Sequence, residues 1–151
     1  MKTLIPVLAL SLVGTGCAPE APFHSEYRDH IANAETPDEK QYWEFAYRLK
    51  GVVEEEEVEK LVVVSDGIDQ FEAWVMARLY LSETQGVCSD IALPVKEGRD
   101  WMIPTWVGRG GHESTPIYVD SISGQVRCEG FPSIDDPTAY MQALYDEQNR
   151  T

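Results

Sequence analysis

The chain is expected to fold as one α+β domain, with N-terminal helices packed on a roughly four-stranded antiparallel sheet and a C-terminal helix. Three observations predict this. Apolar residues recur at helical spacing up to Gly86, the period changes to two beyond it, and helical spacing returns behind Asp136-Pro137. Helices first and a strand meander after them suit a layered α+β arrangement. The length of 151 residues, with 43% hydrophobic and 10% aromatic side chains, fits one domain with a real core.

Residues 1–16 read as an export signal, 17–35 as a tether and 36–151 as the folded domain. The tether begins with prolines and charge (Ala18-Pro19-Glu20-Ala21-Pro22), although Phe23, Tyr27 and Ile31 fall at the spacing of a short helix. Thr36-Pro37-Asp38-Glu39 is a capping box with proline at the first helical position. Tyr42, Phe45, Ala46 and Leu49 then form one apolar stripe, and Gly51 is the expected stop. The run Glu54-Glu55-Glu56-Glu57 suits a helix's first turn, so Val58, Leu61 and Val62 are assigned to a second helix, with a strand over the valines of 61–64 as the alternative. Ser65-Asp66-Gly67 offers a cap for the third. There Ile68, Phe71, Val75, Met76 and Leu79 make the most amphipathic stretch, and it is the expected core helix.

Beyond Gly86, residues 90–97, 100–107, 116–121 and 125–129 read as strands. Glu97-Gly98 and Ser121-Ile122-Ser123-Gly124 are the hairpin turns, and residues 108–115 form a longer loop. Pro94 and Pro104 cannot donate to a ladder, so their strands should lie at an edge or be bulged. Asp136-Pro137-Thr138 caps the last helix, whose Tyr140, Met141, Leu144 and Tyr145 can dock on the rest.

Twenty-six acidic residues against 12 basic ones give a formal charge of −14. Nucleic acid is therefore an unsuitable partner, because its phosphates must be neutralised by Lys and Arg. Anionic lipid surfaces are unsuitable for the same reason.

The N-terminus carries Lys2, about ten apolar residues, and then Gly14-Thr15-Gly16-Cys17. This segment resembles the lipobox of bacterial lipoproteins. The resemblance implies acylation of Cys17, cleavage before it, and, with Ala18 next, a lipid anchor in the outer membrane facing the periplasm. The other reading is an ordinary secretory signal. Cleavage leaves 135 of the 151 residues, with 11 basic groups against 26 acids, a charge of −15.

With Cys17 acylated, Cys88 and Cys128 remain, and an oxidising compartment favours a disulfide between them. Closing that loop of about 41 residues contributes on the order of 4 kcal/mol. Two buried thiols or a Cys–His pair are the alternatives.

No catalytic, metal or cofactor site is expected, and the chain reads as a non-enzyme. It has no Gly-x-Ser-x-Gly elbow. Ser114 cannot readily converge with its own neighbours His112 and Glu113. No two histidines have the i, i+4 spacing of a helical zinc site. The Gly108-Arg109-Gly110-Gly111 run joins two strands, not a strand to a helix, which is where phosphate cradles form.

Two groups suggest partner binding instead. Glu54, Glu55, Glu56, Glu57 and Glu59 form a dense acidic patch, a solvated helix start or a dock for a basic protein. Trp101, Trp106, Arg109 and His112 surround a loop between strands, where Trp and Arg suit a binding hot spot or Trp fills the core.

Residues 68–130 resemble cystatin-like and nuclear-transport-factor-two-like proteins, whose ending is shared by bacterial immunity proteins and periplasmic PepSY modules. The resemblance rests on Trp101, Gly110-Gly111, Pro116-Ile117-Tyr118-Val119-Asp120 and Ser123-Gly124-Gln125-Val126. It implies a long helix across a curved antiparallel sheet. The expected function is a membrane-anchored periplasmic inhibitor or immunity protein that neutralises a basic envelope-targeting toxin, such as a cell-wall hydrolase. The alternatives are a structural or assembly lipoprotein, or an accessory subunit of an envelope secretion or transport machine. Small-ligand binding on the concave sheet face is a third reading.

Overall fold

The computed structural model describes residues 24–54, 62–85, 89–107 and 112–148. Helix α1 (His24–Asn33) is followed by α2 (Pro37–Glu54), a 3-10 turn (Val64–Asp66) and α3 (Gln70–Gln85). Strands β1 (Ser89–Ile91), β2 (Val95–Glu97), β3 (Asp100–Val107), β4 (His112–Asp120) and β5 (Val126–Cys128) come next, then α4 (Pro137–Gln148). The chain is thus a mixed helix and strand fold built on an antiparallel sheet.

Helix α2 starts as its sequence dictates. The Glu39 amide donates to Thr36 Oγ1 at 3.1 Å, and the Glu35 amide to Glu39 Oε2 at 2.9 Å. Ala46 and Leu49 of the stripe are buried. Aromatic side chains of α2 bind it to both neighbouring helices. Phe45 meets Phe71 of α3 edge-on with centroids 5.3 Å apart, and Tyr42 meets Trp74 at 5.7 Å. On the other side, His30 of α1 stacks on Trp43 at 4.0 Å.

Gly51 does not end α2, which continues to Glu54. Glu54 thus belongs to the described part of α2, and the rest of the glutamate run expected to open a second helix lies outside the described residues. Residues 55–61 lie outside the described segments, and Val62 and Val63 are neither helix nor strand.

The cap of α3 is Asp69, not Ser65-Asp66. Asp69 Oδ1 accepts the Glu72 amide at 2.8 Å, and Glu72 Oε2 accepts the Asp69 amide at 2.9 Å. Every residue from Phe71 to Leu81 is buried. The helix is not amphipathic in place, because α2 covers the side that faces away from the sheet. Arg78 is buried among these residues. Its Nη1 lies 3.1 Å from both the Tyr42 hydroxyl and Asp90 Oδ1, joining α2, α3 and β1.

The sheet order is β1-β3-β4-β5, with β2 also pairing β3. The single strand expected over 90–97 is broken at 92–94, ahead of β2, because Pro94 cannot donate; both pieces share one edge of β3. Pro104 lies in the central strand β3, where the register shifts between Ile103 and Thr105. Strand β4 starts at His112 and not at 116, so residues 112–115 belong to the hairpin; 108–111 lie outside the described residues.

The β4–β5 turn is built by Asp120. Its Oδ1 accepts the amides of Ile122 at 2.9 Å and Ser123 at 2.7 Å, and Oδ2 pairs with Arg99 Nε at 2.6 Å. Gly124 closes the turn at φ +72°, and a Cβ there would lie 2.7 Å from Pro137 Cγ. This close approach seats the start of α4, which Asp136 caps through the Ala139 amide at 3.0 Å. Met141 is buried, and the Tyr140 hydroxyl donates to Glu83 Oε2 of α3.

Candidate functional site

Strand side chains alternate between faces, and burial shows which face is which. Ile103, Thr105, Ile117, Val119, Val126 and Cys128 are buried and point toward α3. Thr105 is satisfied there, donating to the Thr115 carbonyl at 3.0 Å. The side facing α3 is therefore covered by that helix over these buried residues. Helix α3 is the described helix that packs extensively on the strands.

The opposite face carries Val95, Met102, Pro104, Trp106, Pro116 and Tyr118. Register places Val95 opposite Met102, Met102 opposite Tyr118, and Tyr118 opposite Arg127, a continuous row across four strands. Val95 is 51% exposed, and Met102, Trp106 and Tyr118 are half-buried. The Arg127 guanidinium lies 5.9 Å from the Tyr118 ring centroid and pairs with Asp100 at 2.7 Å. Asp100 is itself the register partner of both Glu97 and Asp120, so acids line the hairpin base beside the apolar row. At the other end Trp106 is opposite Glu113.

Electrostatics at the acidic end are fixed by hydrogen bonding. Burial alone would raise the Asp120 carboxyl, but the Ser123 and Ile122 amides and Arg99 outweigh it and hold the pKa at about 2. Asp120 is ionised at neutral pH and already engaged, so it organises the turn.

Of the residues singled out in the sequence, Trp106 belongs to this outer face. His112 is exposed at the start of β4, opposite Val107. Being adjacent to Glu113 in the strand, it points to the other side from Trp106, so the two do not form one patch. Arg109 lies outside the described residues, as do Glu55, Glu56, Glu57 and Glu59; for Glu54 only the backbone is described. Cys17 and Cys88 are also outside them. Cys128 is a buried free thiol, with Sγ 3.7 Å from the Thr115 carbonyl oxygen. Ser114 donates to Gln85 Oε1 at 3.4 Å. Val95, Met102 and Tyr118 were missed, although their period of two against the buried Ile117 and Val119 carries the signal.

Compared with protein families, with curated proteins and with solved structures, the chain finds no match.

Proposed function

We propose that the chain is a lipid-anchored protein of the bacterial envelope that binds a basic protein, acting as an inhibitor or immunity protein against an envelope-targeting toxin such as a cell-wall hydrolase. The observation that carries the binding part is the row Val95–Met102–Tyr118–Arg127 on the sheet face opposite α3. Aromatic, Met and Arg side chains are the types enriched at protein interfaces, and a centre of them inside a charged rim matches interface anatomy. Trp106 and Tyr118 supply rigid apolar area. Glu97, Asp100 and Glu113 supply the rim, and the net charge of −14 steers a cationic partner toward it. The lipobox-like segment ending at Cys17 supports the anchor.

A photo-crosslinking residue placed at Met102 tests the reading, with Asp38 on the exposed first turn of α2 as the control. The expected result in envelope extract is one basic partner joined from position 102 and none from 38. Equal labelling from both, or none from 102, overturns the docking surface. Cys17→Ser is expected to move the protein out of the membrane fraction, and a variant that stays bound overturns the anchor.

A further inference from the structure

A second feature stands apart from the sheet's outer face. A cavity of about 540 Å³ opens where the end of α2, the 3-10 turn, the start of α3 and β2 meet. That volume lies in the range of small-molecule sites. Its apolar lining is Ile68, Phe71 and Val63.

Its walls are held before any ligand arrives. The Ile68 amide donates to the Ser121 carbonyl at 2.8 Å, and the Ile68 carbonyl accepts the Trp101 indole N–H, also at 2.8 Å. Glu72 lines the cavity too, but both its oxygens are taken by backbone amides, those of Val63 at 2.7 Å and Asp69 at 2.9 Å.

The remaining charges are not used in this way. The Arg48 guanidinium sits 3.9 Å from the Phe71 ring centroid, and Lys96 Nζ sits 4.7 Å from that of Trp101. Each cation is oriented by an aromatic face. Lys96 also donates to the Arg99 carbonyl at 3.3 Å. Neither has an ion-pair partner among the described residues, whereas Lys40, Arg78, Arg99 and Arg127 each reach a carboxylate. Asp66 lines the same cavity, and no hydrogen bond or ion pair among the described residues engages its carboxylate. Asp69 accepts the Glu72 amide through one oxygen only. In so acidic a chain, two cations and an aspartate share one cavity without pairing with each other.

We propose that this cavity binds a small zwitterion with an apolar body, an amino acid or short peptide. Its oxyanion meets Arg48 and Lys96, its ammonium group meets Asp66, and its apolar part rests on Ile68 and Phe71. A simple anion would meet Asp66 and Asp69 unfavourably, and a simple cation would meet Arg48 and Lys96 in the same way. A ligand carrying both charges satisfies all of them.

The test uses the mature chain and NMR signals of the Trp101 indole N–H and the Gly67 and Ser121 amides. Phenylalanine and alanylphenylalanine, whose charges are differently spaced, are titrated beside N-acetylphenylalanine, which lacks the ammonium, and phenylalaninamide, which lacks the carboxylate. The expected result is a saturable shift with at least one zwitterion and about tenfold weaker binding of both single-charge analogues, a difference of roughly 1.4 kcal/mol. Arg48→Gln should reduce the discrimination against phenylalaninamide, and its combination with Lys96→Gln should abolish it; Asp66→Asn should abolish that against N-acetylphenylalanine. All three positions are exposed, so the amide spectrum itself reports that the fold is kept. No saturable shift with either zwitterion, binding of the single-charge analogues as tight as that of the zwitterions, or binding unchanged in the Arg48→Gln, Asp66→Asn double variant overturns the proposal.

Discussion

Asp69 and Glu72 cap each other: the carboxylate of each accepts the backbone amide of the other, at 2.8 and 2.9 Å. Glu72 goes further and accepts the Val63 amide at 2.7 Å, so one side chain ties the segment before α3 to its first turn. Glu72→Ala leaves the Val63 and Asp69 amides without their acceptor. The expected loss is about 2–3 kcal/mol, against about 1 kcal/mol for Asp69→Ala. Asp66→Ala should change stability by less than about 0.5 kcal/mol, as for an ordinary surface position. Urea unfolding of the three variants checks the order. Equal losses at 66 and 72 would return the cap to Asp66.

Acid stability should depend on Asp120. Its pKa falls from 3.8 to about 2 on folding, because two turn amides and Arg99 outweigh the effect of burial. A depressed carboxyl pKa stabilises the fold above the unfolded value, and the gain disappears as pH falls from about 4 through 2. Up to about 2 kcal/mol is at stake, at 1.36 kcal/mol per unit. Asp120→Asn should flatten the stability profile between about pH 4 and 2 relative to the parent chain. A parallel profile would place the acid response at other carboxylates.

Cys128 should behave as a protected thiol. Burial pushes its pKa up, and the Glu129 charge pushes it the same way, so little reactive thiolate forms near neutral pH. Cys88 lies outside the described residues. Alkylation is expected at Cys128 only after unfolding, without reductant. A peptide joining positions 88 and 128 under non-reducing conditions would overturn this and bear out the disulfide expected from the sequence.

The elements legible in the sequence are those specified by near neighbours. Thr36 and Glu39 announce α2, Asp136 announces α4, and Gly98 and Gly124 announce the hairpin turns. What was not legible depends on tertiary partners. The burial of α3 all round follows from the aromatic side chains of α2 lying on it, which no local period encodes. The extension of β4 back to His112 follows from pairing with Val107 and Trp106 across the hairpin, which outweighs the polar, loop-like composition of residues 112–115. Asp69 and Glu72 do carry a readable cap spacing, but Ser65-Asp66-Gly67 just upstream offers a competing one. The outer face was half visible: Trp106 stood out by type, whereas Met102 and Tyr118 become a surface only once register sets them side by side.

The same distinction separates two contributions to partner binding. Tyr118 and Trp106 are half-buried on a face that no helix covers extensively, so truncating either to serine removes little from the core. About 1 kcal/mol of stability is expected to be lost, whereas a buried anchor at an interface is worth about 2 kcal/mol or more in binding. Dissociation of the partner should then quicken by about tenfold or more, with association little changed. Replacing Glu54, Glu55, Glu56 and Glu57 by glutamine should do the reverse. Long-range attraction acts on encounter, so association should slow and lose its salt sensitivity while dissociation stays near the parent value. Surface plasmon resonance at two salt concentrations resolves both rates. If the serine variants left dissociation unchanged, the outer face would be no interface; if the glutamine variant left the salt slope unchanged, the acidic run would be only solvated charge.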